Sequence, residues 1–267
     1  MAKEVYSYFL SHWKGRDLAL KIHAYQILHY GADYVSYALQ SIYSQVEQIH
    51  VLYTPHPTHG YRTEQPPIES REAIMAAVAA YDPEHKIKWY DVDNVWHEGQ
   101  HRDLAVEICR RAGADIVLVV DYDEVWQEAT LKAALELVAN GDKHNWLINF
   151  THFWRSFDWV CRDEGWPVRF IDLRQKDDID YIPKELGEIY HFGYAIRDEI
   201  LRYKISIHGH KAEFRPDWYE TKWKIWPPSL DCHPTNNKNF WNPMPFDKTI
   251  LPDFMRLHPF YNLRKIE

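Results

Sequence analysis

The 267-residue sequence has only three cysteines, Cys109, Cys161 and Cys232, isolated from one another and in no CxxC pair. That excludes a disulfide framework or a zinc ribbon as the organising device. No stretch approaches the roughly 18 uninterrupted apolar residues of a spanning helix, and the opening residues lack a signal-peptide core, so a soluble, non-exported chain in a reducing cytoplasm is expected. Nor is the chain poor in apolar residues: 46% are hydrophobic and 26% charged, which sets aside the disordered and fibrous classes. Positive charge is scarce except at one end. The net charge is −8, yet residues 200–267 hold 11 Lys/Arg against 7 Asp/Glu. This mildly basic quarter also carries Trp218, Trp223, Trp226 and Trp241. Aromatic planes beside positive charge suit sugars, bases or phosphates; the plainer alternative is core tryptophans under a solvated surface.

What is present is an alternation of strand and helix patterns through the first 145 or so residues. The pattern predicts a parallel sheet with crossover helices, in one unit of α/β class. Strands are expected near Ile22–His29, Ile49–Thr54, Ile87–Val92 and Asp115–Val120, with further ones over Trp146–Phe150, Val168–Leu173 and Glu188–Tyr194. Val35, Ala38, Leu39 and Ile42 form one helical stripe that Asp33 would cap. Other helices are expected over Glu69–Ala80, Asp103–Ala112, Thr130–Ala139 and Arg197–His208, and the last 45 residues read as mostly irregular.

The run Asp115-Ile116-Val117-Leu118-Val119-Val120 is apolar without alternation, as a strand covered on both faces must be, and it ends abruptly in Asp121-Tyr122-Asp123-Glu124. This places carboxylates at the carboxyl edge of a parallel sheet, where ligands of open α/β sheets bind. In extended backbone Asp121 and Asp123 point the same way, so both could hold one Mg2+ or Mn2+ that bridges a diphosphate. The cation would act as a Lewis acid toward the departing nucleotide. On the same reading, Asp123→Ala at an exposed edge should leave the fold intact.

The segment resembles family-2-like glycosyltransferases of the GT-A type over roughly the first 210 residues, in pattern rather than in identity. The resemblance implies a Rossmann-like, mostly parallel sheet flanked by helices, with an irregular C-terminal extension. Residues 1–210 would form the catalytic domain (nucleotide-sugar half about 18–145, acceptor half 146–210), and residues 211–267 would pack on it. It implies transfer of a hexosyl or pentosyl group from a nucleotide-sugar donor to a hydroxyl acceptor with a divalent cation. In His97-Glu98-Gly99-Gln100-His101-Arg102-Asp103 it assigns Arg102 to the nucleotide site. Tyr190-His191-Phe192-Gly193 is similar to the His-Phe-x-Gly signature that supplies a third metal ligand, here His191, with the glycine one position early. Arg197-Asp198-Glu199-Ile200-Leu201-Arg202-Tyr203-Lys204 is similar to the stretch that furnishes the base of inverting relatives. Asp198 or Glu199 would then take the acceptor proton, with Asp158, Asp163 and Glu164 as rivals. Lys204 and Arg202 would neutralise phosphate oxygens. Where many relatives hold uracil with an aspartate after the second strand, this chain has Val51-Leu52-Tyr53-Thr54-Pro55. Strand order alone places Tyr30, Thr54, Tyr122 and, as a substitute acid, Asp91 in the nucleotide pocket.

Two other readings stay open. Asp121-Tyr122-Asp123-Glu124-Val125 also satisfies the DxDx[TV] pattern of haloacid-dehalogenase-like Mg2+-dependent phosphotransferases, although that family's nucleophile follows its first strand. A non-catalytic carbohydrate-binding protein would use the tryptophans for stacking on sugar rings. Within the glycosyltransferase reading the acceptor is a glycan or cell-envelope intermediate, or a hydroxymethylated DNA base as in phage enzymes. A phage-encoded chain would work in the host cytoplasm, and the basic, Trp-bearing C-terminal quarter, with Lys222-Trp223-Lys224, would face the DNA strand.

Overall fold

The computed structural model describes residues 20–58, 65–162, 165–235 and 241–267. The first half alternates as its periodicity predicts. Strand β1 (Ile22–Leu28) leads into helix α1 (Val35–Ile42), β2 (Gln48–Tyr53) into α2 (Arg71–Ala79), and β3 (Ile87–Asp91) into α3 (Glu98–Arg111). Strand β4 (Ile116–Val119) and the short β5 (Glu124–Val125) precede α4 (Glu128–Asn140). All four residues of β4 are at most 2% exposed, and burying each such aliphatic side chain is worth about 1.5–3 kcal/mol.

Two sheets share the work. The first is seven-stranded and mixed, in the order β10-β6-β9-β4-β1-β2-β3. It adds β6 (Asn145–Leu147), β9 (Val168–Asp172) and β10 (Ile179–Tyr181). Strands β4, β1, β2 and β3 run parallel, while β9 lies antiparallel between β4 and β6. Helices α1, α2 and α4 bury Val35, Leu39, Ile74, Leu131 and Val138 against one face, and α3 buries Ala105 and Cys109 against the other. The second sheet is five-stranded, in the order β12-β8-β7-β11-β5. Its remaining members are β7 (Phe150–Trp154), β8 (Trp159–Arg162), β11 (Ile189–Tyr194) and β12 (Met244–Pro245). Helix α5 (Asp198–Ile207) follows β11.

Several expectations are corrected. The single strand expected over Trp146–Phe150 is two, because the chain leaves the first sheet at Leu147 and enters the second at Phe150. Helix α3 begins at Glu98, not Asp103, so Arg102 sits a turn inside it. Asp33 does not cap α1. Its carboxylate pairs with Arg197 at 2.9 Å, while the Gly31 and Ala32 amides before it donate to Glu69 Oε2 at 2.6 and 3.0 Å. Asp121 and Asp123 do not continue an extended strand. The chain turns there, with the Glu124 amide donating to the Asp121 carbonyl at 3.2 Å, and passes from one sheet to the other. Trp218, Trp223 and Trp241 are at most 3% exposed and form a second core with Trp154, Phe153 and Phe192, so they are not a stacking surface. Asp163 and Glu164 lie outside the described residues. No helix among the described residues is long and apolar enough to cross a membrane.

Candidate active site

Chain order decides where a cavity can open. The path β1, β2, β3 moves outward in one direction and then returns to place β4 on the other side of β1, so the loops after β1 and β4 part at the carboxyl edge. Such a switch point is where open α/β sheets bind ligands. A cavity of about 160 Å3 lies there, lined by His29, Tyr30, Thr54, Thr58, Glu98, His101, Arg102, Asp121, Tyr122, Asp123, His191 and Lys204 along with Ile27, Leu28 and Ile207. Eight residues expected at the site from sequence are among them: Tyr30, Thr54, Arg102, Asp121, Tyr122, Asp123, His191 and Lys204.

The acidic turn is clamped rather than solvated. Arg169, buried in β9, donates from Nη2 to Asp121 Oδ2 at 2.6 Å and from Nε to both Glu124 oxygens at 3.0 Å, while lying over the Phe150 ring. Arg102 approaches Asp121 Oδ1 at 3.4 Å and is itself held by Glu98 at 2.6 Å. Burial pushes the Glu124 carboxyl up to about 8, against the pull of Arg169. Asp121 thus faces two arginines. Asp123 faces other partners: His191 Nε2 lies 3.6 Å from its Oδ1 and Lys204 Nζ 3.9 Å from its Oδ2. Burial raises the Asp123 carboxyl and lowers the Lys204 ammonium, each opposed by attraction to the other.

His191 is kept neutral. Burial holds it well below its usual range, and His152, Lys204 and Arg169 lower it further. Its Nδ1 shares a 2.9 Å hydrogen bond with Nδ1 of His152, its register partner across β7 and β11, and Phe150 stacks on it at 5.0 Å. Gly193 makes the convergence possible. A Cβ there would fall 2.3 Å from His191 Cε1, 2.9 Å from Lys204 Nζ and 3.0 Å from Asp123 Oδ2, and Lys204 donates to its carbonyl at 3.1 Å. Gly31 plays the same part across the cavity: at φ +125° it accommodates Tyr122, whose Cδ2 would be 2.3 Å from an added Cβ. The far wall is neutral and polar. His29 donates from Nδ1 to the Thr54 carbonyl at 2.9 Å, which leaves its Nε2 to accept from the Tyr203 hydroxyl. His101 Nδ1 bonds Thr58 Oγ1 at 3.2 Å.

Five expected site residues do not reach the cavity. Asp91 ends β3 at the sheet edge, where Arg71 grips both its oxygens at 2.6 Å. Asp198 starts α5 but accepts from Arg202 at 2.9 Å, from Trp223 Nε1 at 3.1 Å and from the Tyr219 hydroxyl, which anchors the C-terminal segment. Glu199 pairs with Arg197 and is 61% exposed, and Asp158 pairs with Lys248 at 2.9 Å. Arg202, expected beside phosphate, points to Asp198 and covers the Tyr219 ring at 4.4 Å. Sequence reading missed Arg169, His29, His101 and His152. Only Arg169 left a trace, as a charge between Val168 and the apolar Phe170-Ile171.

Among the described residues no three His, Cys, Asp or Glu side chains form a ready-made metal cage. Asp123 and His191 come nearest, with the Asp121 carboxylate engaged by its arginines. No protein-family model matches this chain, and no curated protein matches it either.

Proposed function

We propose that this chain is a glycosyltransferase of the GT-A type, moving a sugar from a nucleotide-sugar donor to a hydroxyl acceptor with the help of Mn2+ or Mg2+. One observation carries the reading: Arg102, Asp121, Asp123, His191 and Lys204 line a single cavity at the switch point between β1 and β4. The donor set suits a cation that takes few protein ligands. Mg2+ is commonly held by one or two carboxylates plus substrate phosphates, and Mn2+ accepts imidazole. Asp123, neutral His191 and, on release from an arginine, Asp121 offer those groups. A bound cation would supply Lewis-acid stabilisation of the charge on the leaving diphosphate.

The chain's own residues do the rest. Lys204 and Arg102 donate charge-assisted hydrogen bonds to phosphate oxygens. Arg169, through its bonds to Glu124, keeps the turn in place while Asp121 changes partners. Tyr30, Thr54, His29 and His101 provide the uncharged wall suited to a nucleoside. With Trp218, Trp223 and Trp241 in the core, that quarter keeps the half-buried Trp226 alone for base stacking, and a glycan or cell-envelope intermediate is the acceptor we favour.

The test is a panel of nucleotide sugars with and without Mn2+, read by nucleotide diphosphate release and thermal shift. At least one donor should raise Tm in the presence of metal and be turned over. Release of phosphate from a phosphomonoester, with no response to any nucleotide sugar, would replace this reading with the phosphotransferase one.

A further inference from the structure

Sequence spacing isolates the cysteines, but folding does not. Cys161 in β8 and Cys232 in the C-terminal segment bring their Sγ atoms to 3.5 Å, and both are 0% exposed. We propose that Cys161 and Cys232 are a disulfide-forming site that, once oxidised, staples the C-terminal segment to the second sheet.

Both backbones are already fixed where the bond would form. Cys161 sits in register opposite His152 on β7. The Cys232 amide donates to the Trp241 carbonyl at 2.8 Å and its carbonyl accepts from Trp218 Nε1 at 2.8 Å. Its neighbour Asp231 is gripped by Arg215 at 2.7 and 2.8 Å. Closing from the present separation to a disulfide bond of about 2.05 Å asks for side-chain rotation rather than a rearranged chain. Cys109 is a built-in control: it sits on α3 in a different cluster, and burial pushes its thiol up to about 12.

The chemistry is thiol–disulfide exchange with a small-molecule disulfide. One cysteine thiolate attacks the reagent and releases its first thiol; the second displaces the other. The two cysteines lose two electrons to the reagent, which leaves as two thiols carrying the two protons. Because both sulfurs are fully buried, exchange proceeds through local opening of the segment around Cys232, so it is slow. The closed loop spans β11 and α5, the elements that deliver His191, Gly193 and Lys204 to the cavity. Oxidation therefore braces that half of the site.

The experiment equilibrates the full native chain in glutathione buffers of graded potential, quenches by alkylation and maps peptides without reduction. The expected product is one intrachain Cys161–Cys232 link, with Cys109 alkylated only after unfolding. Oxidised protein should melt about 5–10 °C higher than reduced protein, reversibly on adding dithiothreitol, and Cys232→Ala should lose the shift. If that variant fails to fold, the comparison of oxidised with reduced wild type still stands. Glutathione mixed disulfides on single cysteines, a link involving Cys109, or a link that appears only in denaturant would overturn the proposal.

Discussion

Lys204 places its ammonium 3.9 Å from Oδ2 of Asp123, so the most buried carboxylate of the cavity meets a cation brought by a helix much later in the chain. Each group is destabilised by burial and rescued in part by the other. Asp123 is 2% exposed, so the exposed edge on which Asp123→Ala was expected to leave the fold intact is not where it sits.

From this pair, Asp123→Asn and Lys204→Met should each lower kcat/KM at least about 100-fold, the scale of losing one electrostatic contact to developing charge. Asp123→Ala should also destabilise the fold by about 3 kcal/mol, because it leaves Lys204 buried and unpaired. Urea denaturation beside the transfer assay separates the two effects. Full activity in Asp123→Asn would remove the carboxylate from the mechanism.

Gly193→Ala should cost activity through sterics alone. The new methyl would sit 2.3 Å from His191 and crowd Lys204 and Asp123, so the three polar groups cannot keep their present places. A drop of about 100-fold or more in kcat/KM is expected, together with weaker Mn2+ binding measured by electron paramagnetic resonance. Wild-type kinetics from the alanine variant would mean that this convergence does not matter.

Glu199→Gln and Asp158→Asn should leave transfer within about twofold of wild type, since surface changes away from special features are nearly neutral. Both carboxylates pair with cations outside the cavity. Loss of kcat in either variant at unchanged Tm would show that the acceptor proton goes there after all.

Acid should weaken the fold through its buried histidines. His50, His101 and His258 are each depressed from 6.5 to about 4, with burial the largest cause. In the native state they stay neutral while the unfolded chain takes up protons, so their support is complete above pH 6.5 and is lost as pH falls toward 4. The loss is about 1.4 kcal/mol per pKa unit for each. His258 shows why: its Nε2 donates to the Asp33 carbonyl at 3.0 Å while Nδ1 accepts from the Phe260 amide at 3.1 Å, leaving no place for a second proton. Plotting Tm against pH for wild type and His258→Asn should give a shallower acid limb for the variant; equal slopes would contradict this assignment.

Gln26→Leu should stabilise. Gln26 is 0% exposed in β1, and neither its side-chain oxygen nor its nitrogen has a hydrogen-bond partner. Replacing an unsatisfied buried amide by an aliphatic group of similar size should gain about 1–3 kcal/mol. A lower urea midpoint in the variant would reveal a polar contact formed in solution.

Much of the fold was legible because it depends on local pattern. The apolar stripe of Val35, Ala38, Leu39 and Ile42 and the unbroken run from Ile116 to Val120 are read without knowing any neighbour. The acidic turn after that run was legible for the same reason, since a sheet's carboxyl edge follows from strand direction. Strands β5 and β7 escaped notice because short segments in a second sheet carry no period of their own. Asp33 looked like a cap by residue type, yet its carboxylate turns to Arg197, a partner from far along the chain.

Sequence by itself determined the elements of the parallel half-sheet and the place where Asp121 and Asp123 stop β4, all set by neighbours a few residues apart. Only tertiary structure decided which charges meet. Arg169 closes on Asp121 while Lys204 and His191 close on Asp123, and Asp198 and Glu199 turn elsewhere despite sharing a helix with Lys204. The physical reason is that an electrostatic partner is chosen by distance and burial in space, which chain spacing does not encode.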